Sequence, residues 1–155
     1  MMNNHKKIEI RFRLQNMRIT NFSFIEKEDY KLETNKIHFK FSSGIKINKK
    51  NEIILILLDT KIFNNTDKEI ELCNLTVVFE FHVIGLKEFT YKKDTIQIPD
   101  NLLNHLTIIS YSTMRGILFE KCSGTYLSEL ILPTIDPTMI IPGKHHKRDN
   151  ENQKI

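Results

Sequence analysis

The chain has 155 residues, 40% hydrophobic and 27% charged, and a formal net charge of +4. This places it among ordinary globular proteins, long enough for one domain with a real core. No apolar run reaches the length of a membrane span, so membrane insertion is not expected. The basic excess is mild and sits largely in the two ends, which makes it weak evidence for nucleic acid.

Residues 1–7 are polar and are expected to be disordered. The opening MMNNHKKIEI has no apolar signal core, so the protein is read as not exported and cytoplasmic. Ile8, Ile10, Phe12 and Leu14 then alternate with Glu9, Arg11 and Arg13, a strand pattern. The phase slips at Met17 and Ile19 and returns at Phe22 and Phe24. A bulge would explain the slip. So would a strand whose two faces are each covered for part of its length, and this second explanation is preferred because the helix below makes the same demand.

Glu26–Asn35 is charged and reads as a loop. Ile37, Phe39, Phe41, Ile45 and Ile47 alternate with Lys36, His38, Lys40, Ser42 and Lys46, a half-buried strand. Asn48–Asn51 suits a hairpin turn. Ile53–Leu58 has no polar alternation, which predicts a strand buried on both faces, continuing to Phe63. After a turn at Asn64–Asp67, a last strand runs over roughly Glu69–Leu86, with Cys73, Leu75, Val77, Phe79, Phe81 and Val83 on one side. Strands joined by short turns predict an antiparallel meander.

From Ile98 the chain reads as one long helix that stops around Lys121–Gly124, with Pro99 in its first turn and Gly124 as its terminator. Leu102, Leu106, Ile109 and Thr113 form one stripe, and Leu103, Ile108, Tyr111, Met114, Ile117 and Leu118 widen it to most of the circumference. Such a helix needs cover on two sides: its own sheet on one, a second chain or a ligand on the other. Gly116 would permit close approach of a second backbone. Leu102, Leu106, Ile109, Thr113 and Gly116 are therefore the candidate oligomer interface. An extended crossing segment follows, from Tyr126 through Leu132 to Pro137. The predicted fold is α+β: a four-stranded antiparallel sheet, one long helix packed on it, then the crossing segment. The domain spans 8–143, and 144–155 is a polar tail expected to be disordered.

No catalytic constellation assembles, so no enzyme is predicted and no cofactor is called for. His145 and His146 lack the spaced partner ligands of a metal site. Cys73 and Cys122 read as reduced thiols. The basic strand face of Lys36, His38, Lys40 and Lys46, extended by Arg11, Arg13 and Arg18, reads as a solvated sheet face. Phe39 and Phe41 have the opposite parity and cannot stack bases among these groups, so nucleic acid is not the favoured partner.

The chain resembles the SecB family of protein-export chaperones from about Leu14 to Pro137. Leu14–Ile25 is similar to the family's opening strand with its F-x-F ending. Gly85–Leu106 resembles the passage from last strand to long helix. Tyr111–Leu118 and Leu130–Pro137 resemble the helix end, with Arg115-Gly116 as its turn, and the leucine-rich run into a proline segment. The resemblance implies a homotetramer, a dimer of dimers in which sheets join between chains and long helices pack at the centre. It implies a holdase with apolar grooves for unfolded client polypeptides, needing aromatic and aliphatic side chains and free backbone groups. The candidates here are Phe22, Phe24, Phe89, Tyr91, Phe119 and Leu127. It also implies an export motor ATPase as partner. The basic charge, and the little room after Pro142-Gly143 for the family's second helix, argue against motor docking. A client outside export, such as an unstable antitoxin, fits as well.

Overall fold

The computed structural model describes residues 10–27, 31–65, 69–91 and 95–141, the side chains of 90–96 and Pro137 excepted. The ends expected to be disordered, 1–7 and 144–155, lie outside these residues. The elements are β1 (Arg11–Phe24), β2 (Ile37–Asn48), β3 (Ile53–Asn65), β4 (Glu69–Ile84), two short strands β5 (Thr90–Tyr91) and β6 (Thr95–Ile96), and one long helix α1 (Asp100–Cys122). No described helix is long and apolar enough to cross a membrane.

The four long strands form one antiparallel sheet in the order β1-β4-β3-β2. The meander holds for β2, β3 and β4. β1 instead crosses over to lie beside β4, which is a Greek-key order. The charged connection after β1 supplies the length for that crossing.

β4 carries the core row. Cys73, Leu75, Val77, Phe79, Phe81 and Val83 are all essentially sealed from solvent. β3 adds Ile54, Ile56, Leu58 and Ile62 from the same face. The helix lies on this face and turns Leu102, Leu106, Ser110, Met114, Leu118 and Cys122 inward, one residue per turn at a spacing of four. Tyr111 reaches sideways to Phe41 of β2, ring centroids 5.7 Å apart at 72°. Gly124, at φ +76°, ends the helix where a side chain would be strained.

Three expectations are corrected. First, β3 is not buried on both faces: Ile53 and Leu55 are half-buried and Leu57 is exposed, because only one side of the sheet carries a layer. Second, the phase slip in β1 comes from bulges, not from two covered faces. The register shifts fall at Leu14/Asn16 and Ile19/Asn21, so Gln15 and Thr20 are the extra residues. Phe12, Leu14, Met17, Ile19, Phe22 and Phe24 then stand opposite Val83, Phe81, Phe79, Val77, Leu75 and Cys73, all on the core side. Third, Arg115 and Gly116 are not a helix-end turn. They lie inside α1, well before its end at Cys122.

Candidate functional site

β1 is an edge strand. Its one described neighbour is β4, so its other edge offers backbone N–H and C=O groups along a long strand. Its apolar row faces the helix side, yet only the two ends of that row are covered. Phe12 borders one end of α1 in a cleft of about 450 Å³ with Ile10, Asn101, Leu102 and His105. Phe24 borders the other in a cleft of about 580 Å³ with Glu26, Lys27, Gly124, Thr125 and Tyr126. Lys121 stands 5.9 Å over the Phe22 ring, and the Phe22 and Phe24 rings lie 5.8 Å apart. Between these ends the helix gives no cover. Leu14, Met17 and Ile19 are 39%, 48% and 43% exposed. Three successive apolar residues on a core-side face, open to water, form an unusual patch for a lone subunit.

The helix adds a second uncovered surface. Ile108 and Phe119 are exposed on its outer side, with exposed Ser112 and Gly116 between them. A Cβ built on Gly116 meets nothing within 4 Å. A mid-helix glycine costs roughly 1 kcal/mol against alanine, and no contact among the described residues calls for it. A third concavity of about 230 Å³ lies between Ile108, Tyr111, Ser112 and Arg115 of the helix and Thr134 and Ile135 of the crossing segment.

That segment leaves α1 through turns at Ser123–Glu129 and then runs irregularly along the helix. Its carbonyls are held by side chains. The Tyr111 hydroxyl donates to Pro133 O at 2.6 Å, and Arg115 Nε donates to Leu132 O at 2.9 Å. Burial pushes the Tyr111 phenol up to about 12, with the nearby Arg115 charge pulling the other way. Ser43 Oγ of β2 donates to Ile140 O, which ties the end of the segment to the far edge of the sheet.

The sequence candidates do not gather at one place. Phe22 and Phe24 share one end of β1, half-buried. Phe89 is half-buried beyond the opposite end of β4. The Tyr91 side chain lies outside the described residues. Phe119 is 54% exposed on the outer helix face. Leu127 is 0% exposed and belongs to the core, so it cannot line a groove in this conformation. Of the interface candidates, Leu102 and Leu106 face the chain's own sheet. Ile109, Thr113 and Gly116 remain on the sides and outside of the helix. The residues not anticipated as a patch are Leu14, Met17 and Ile19. Their signal was the phase slip itself.

On the outer sheet face, the polar groups of β2 and the neighbouring ends of β3 and β4 pair with one another. Lys40 and His38 both bond Glu69, His38 at 3.1 Å. Those bonds, Lys40 first, hold the Glu69 carboxyl below its ordinary value. His38 stacks on Phe63 at 5.2 Å and Lys40 sits 4.4 Å above the same ring. Lys61 pairs with Glu71 at 3.4 Å. Among the described residues no group of three or more His, Cys, Asp or Glu could hold a metal ion.

No family model matches the chain. No curated protein matches it in sequence. Among solved structures, the fold is similar to the Mycobacterium tuberculosis SecB-like chaperone Rv1957, solved in complex with a ChAD peptide from the Rv1956 HigA1 antitoxin. The TM-score is 0.56 at 8% identity, covering 81% of this chain and 91% of that one. A protein of unknown function from Streptococcus agalactiae matches at a TM-score of 0.45 and 10% identity, over 81% of this chain and 99% of that one. The first match shows that the chain has a SecB-like fold.

Proposed function

We propose that the chain is a SecB-like holdase, an oligomer that keeps extended, unfolded segments of other proteins on its apolar surfaces. It carries out no chemical step. The observation that carries this reading is apolar surface in excess of what one subunit covers, the open row Leu14–Met17–Ile19 on an edge strand, which calls for association. The SecB-like neighbour was solved with an antitoxin peptide, which supports an extended polypeptide as the client class here. An unstable antitoxin is the client we favour over an export substrate.

The edge of β1 is the site proposed for joining two copies. Place a two-fold axis at Met17 and pair β1 with a second β1 antiparallel. Asn16 then meets Arg18, Leu14 meets Ile19, Arg13 meets Asn21, Phe12 meets Phe22 and Arg11 meets Ser23. Every arginine faces a neutral polar group, and every apolar side chain faces another. One bulge lies on each side of Met17, at Gln15 and Thr20, so the register outside them is preserved. Directly opposed pairs of this kind stabilise a sheet, whereas like charges oppose it. The outer face of α1, around Ile108, Ser112, Gly116 and Phe119, is the contact between two such dimers. The small residues at its centre let two helices approach closely.

Clients then bind beside these contacts: in the cleft lined by Phe24 and Tyr126 and along the half-buried β2 row of Ile37, Phe39, Phe41, Ile45 and Ile47. A nucleic-acid role draws less support, because Lys40 and Lys61 are already engaged by carboxylates. The experiment is aggregation of a reduced, unfolded client with and without the purified chain. Suppression at a stoichiometric ratio supports the proposal, and no delay at a severalfold excess overturns it.

A further inference from the structure

Cys73 and Cys122 are both free and only 1% exposed. One stands on the core side of β4, the other is the last residue of α1. The surrounding contacts bring the helix end down onto this part of the sheet. Cys73 is flanked across the ladders by Phe24 of β1 and Ile62 of β3. Lys121, next to Cys122, lies over the Phe22 ring. Gly124, just past the helix, lines a cleft with Phe24. Both cysteines belong to the one buried core cluster, and each thiol shifts the other's ionisation, Cys73 upward and Cys122 downward. A buried cysteine normally behaves as a small apolar residue. Two of them in one part of the core, on elements distant in sequence, are a different chemical object.

We propose that Cys73 and Cys122 are a reversible dithiol–disulfide pair that staples the end of α1 to β4. The oxidant is a small disulfide. The Cys122 thiolate attacks one sulfur of that disulfide and expels the other as a thiolate. The Cys73 sulfur then attacks the mixed disulfide on Cys122, closing the internal bond and releasing the second thiol. Two protein thiols lose two electrons and two protons, and the oxidant's S–S bond becomes two thiols. Cys122 acts first because the neighbouring Cys73 thiol favours its thiolate, lowering its pKa. The same interaction and burial raise Cys73.

The staple has a mechanical consequence. The helix is joined to the sheet through side-chain packing, and the turn just past its end walls the cleft beside Phe24. A covalent tie there fixes the position of that wall. It also shortens the unfolded chain, which raises stability.

The test uses the full chain, reduced and then incubated with oxidised glutathione. After denaturation without reductant, the protein is treated with iodoacetamide and its intact mass is read. The expected result is a mass lower by two hydrogens, no alkyl label, no retained glutathione, and migration as a single chain on a non-reducing gel. The melting temperature rises by several degrees and returns with dithiothreitol. Cys122→Ser shows no rise. Two alkyl labels, a stable glutathione adduct on either cysteine, or cross-linking between copies overturns the proposal. So does a disulfide with no change in melting temperature. None of these readouts depends on client binding.

Discussion

Met17→Glu is the substitution that probes the paired β1 edges most sharply. Met17 is 48% exposed in the subunit and lies at the centre of the proposed two-fold. Full burial of a methionine side chain contributes about 1.5–3 kcal/mol. Roughly half remains to be gained on association, so each copy loses about 1 kcal/mol, and the pair about 2 kcal/mol. The two new carboxylates then face each other directly, which adds up to about 1 kcal/mol. The sum, about 3 kcal/mol, corresponds to a dissociation constant on the order of a hundredfold weaker. The isolated subunit tolerates the change, because the carboxylate reaches water there. Sedimentation over a dilution series measures the first effect, and urea unfolding below the dissociation point measures the second. A dissociation constant unchanged within a few-fold would refute the pairing. Loss of fold in the monomer would refute the claim that Met17 is open to solvent.

Three further outcomes follow from the same geometry. Ser23→Glu places a carboxylate opposite the partner's arginine in this register; the dimer tightens by about 0.2–1 kcal/mol per pair, and added salt removes the gain. Gly116→Leu leaves the subunit folded, since nothing lies within 4 Å of the new Cβ; light scattering shows the mass falling from tetramer to dimer. Tyr111→Phe keeps the ring against Phe41 but leaves Pro133 O without its donor, lowering stability by about 1 kcal/mol at neutral pH. The wild-type phenol is raised in the fold, so its contribution is complete below pH 10 and is lost as pH climbs through about 12. A phenolate absorbance titration shows that late component in the wild type and not in the variant.

Much of the fold was legible because burial is one-sided and periodic. β2 alternates cleanly, and the row from Cys73 to Val83 marks its own core face. The helix limits followed from Pro99 and Gly124. The face assigned to a partner was misplaced, since Leu102 and Leu106 lie on the inward row. Ser110 and Cys122 occupy core positions, while Ile109 and Thr113 stand at the side, and hydrophobicity alone does not reveal that exchange. The bulges were hidden for a similar reason. Gln15 and Thr20 look like ordinary polar strand residues, and only the register against β4 shows them to be additions. The pairing of β1 with β4 is long-range, and nothing local encodes it. Ile53, Leu55 and Leu57 misled because an apolar side chain is not by itself evidence of burial. The candidate site suffered most, since exposure depends on what the helix fails to cover.

The most direct measurement is the mass of the purified chain by light scattering, taken on the same sample used to challenge an aggregating, reduced client. The expected result is a mass near four chains and suppressed aggregation at stoichiometric amounts. A stable single chain with no effect on the client would contradict a tetrameric holdase.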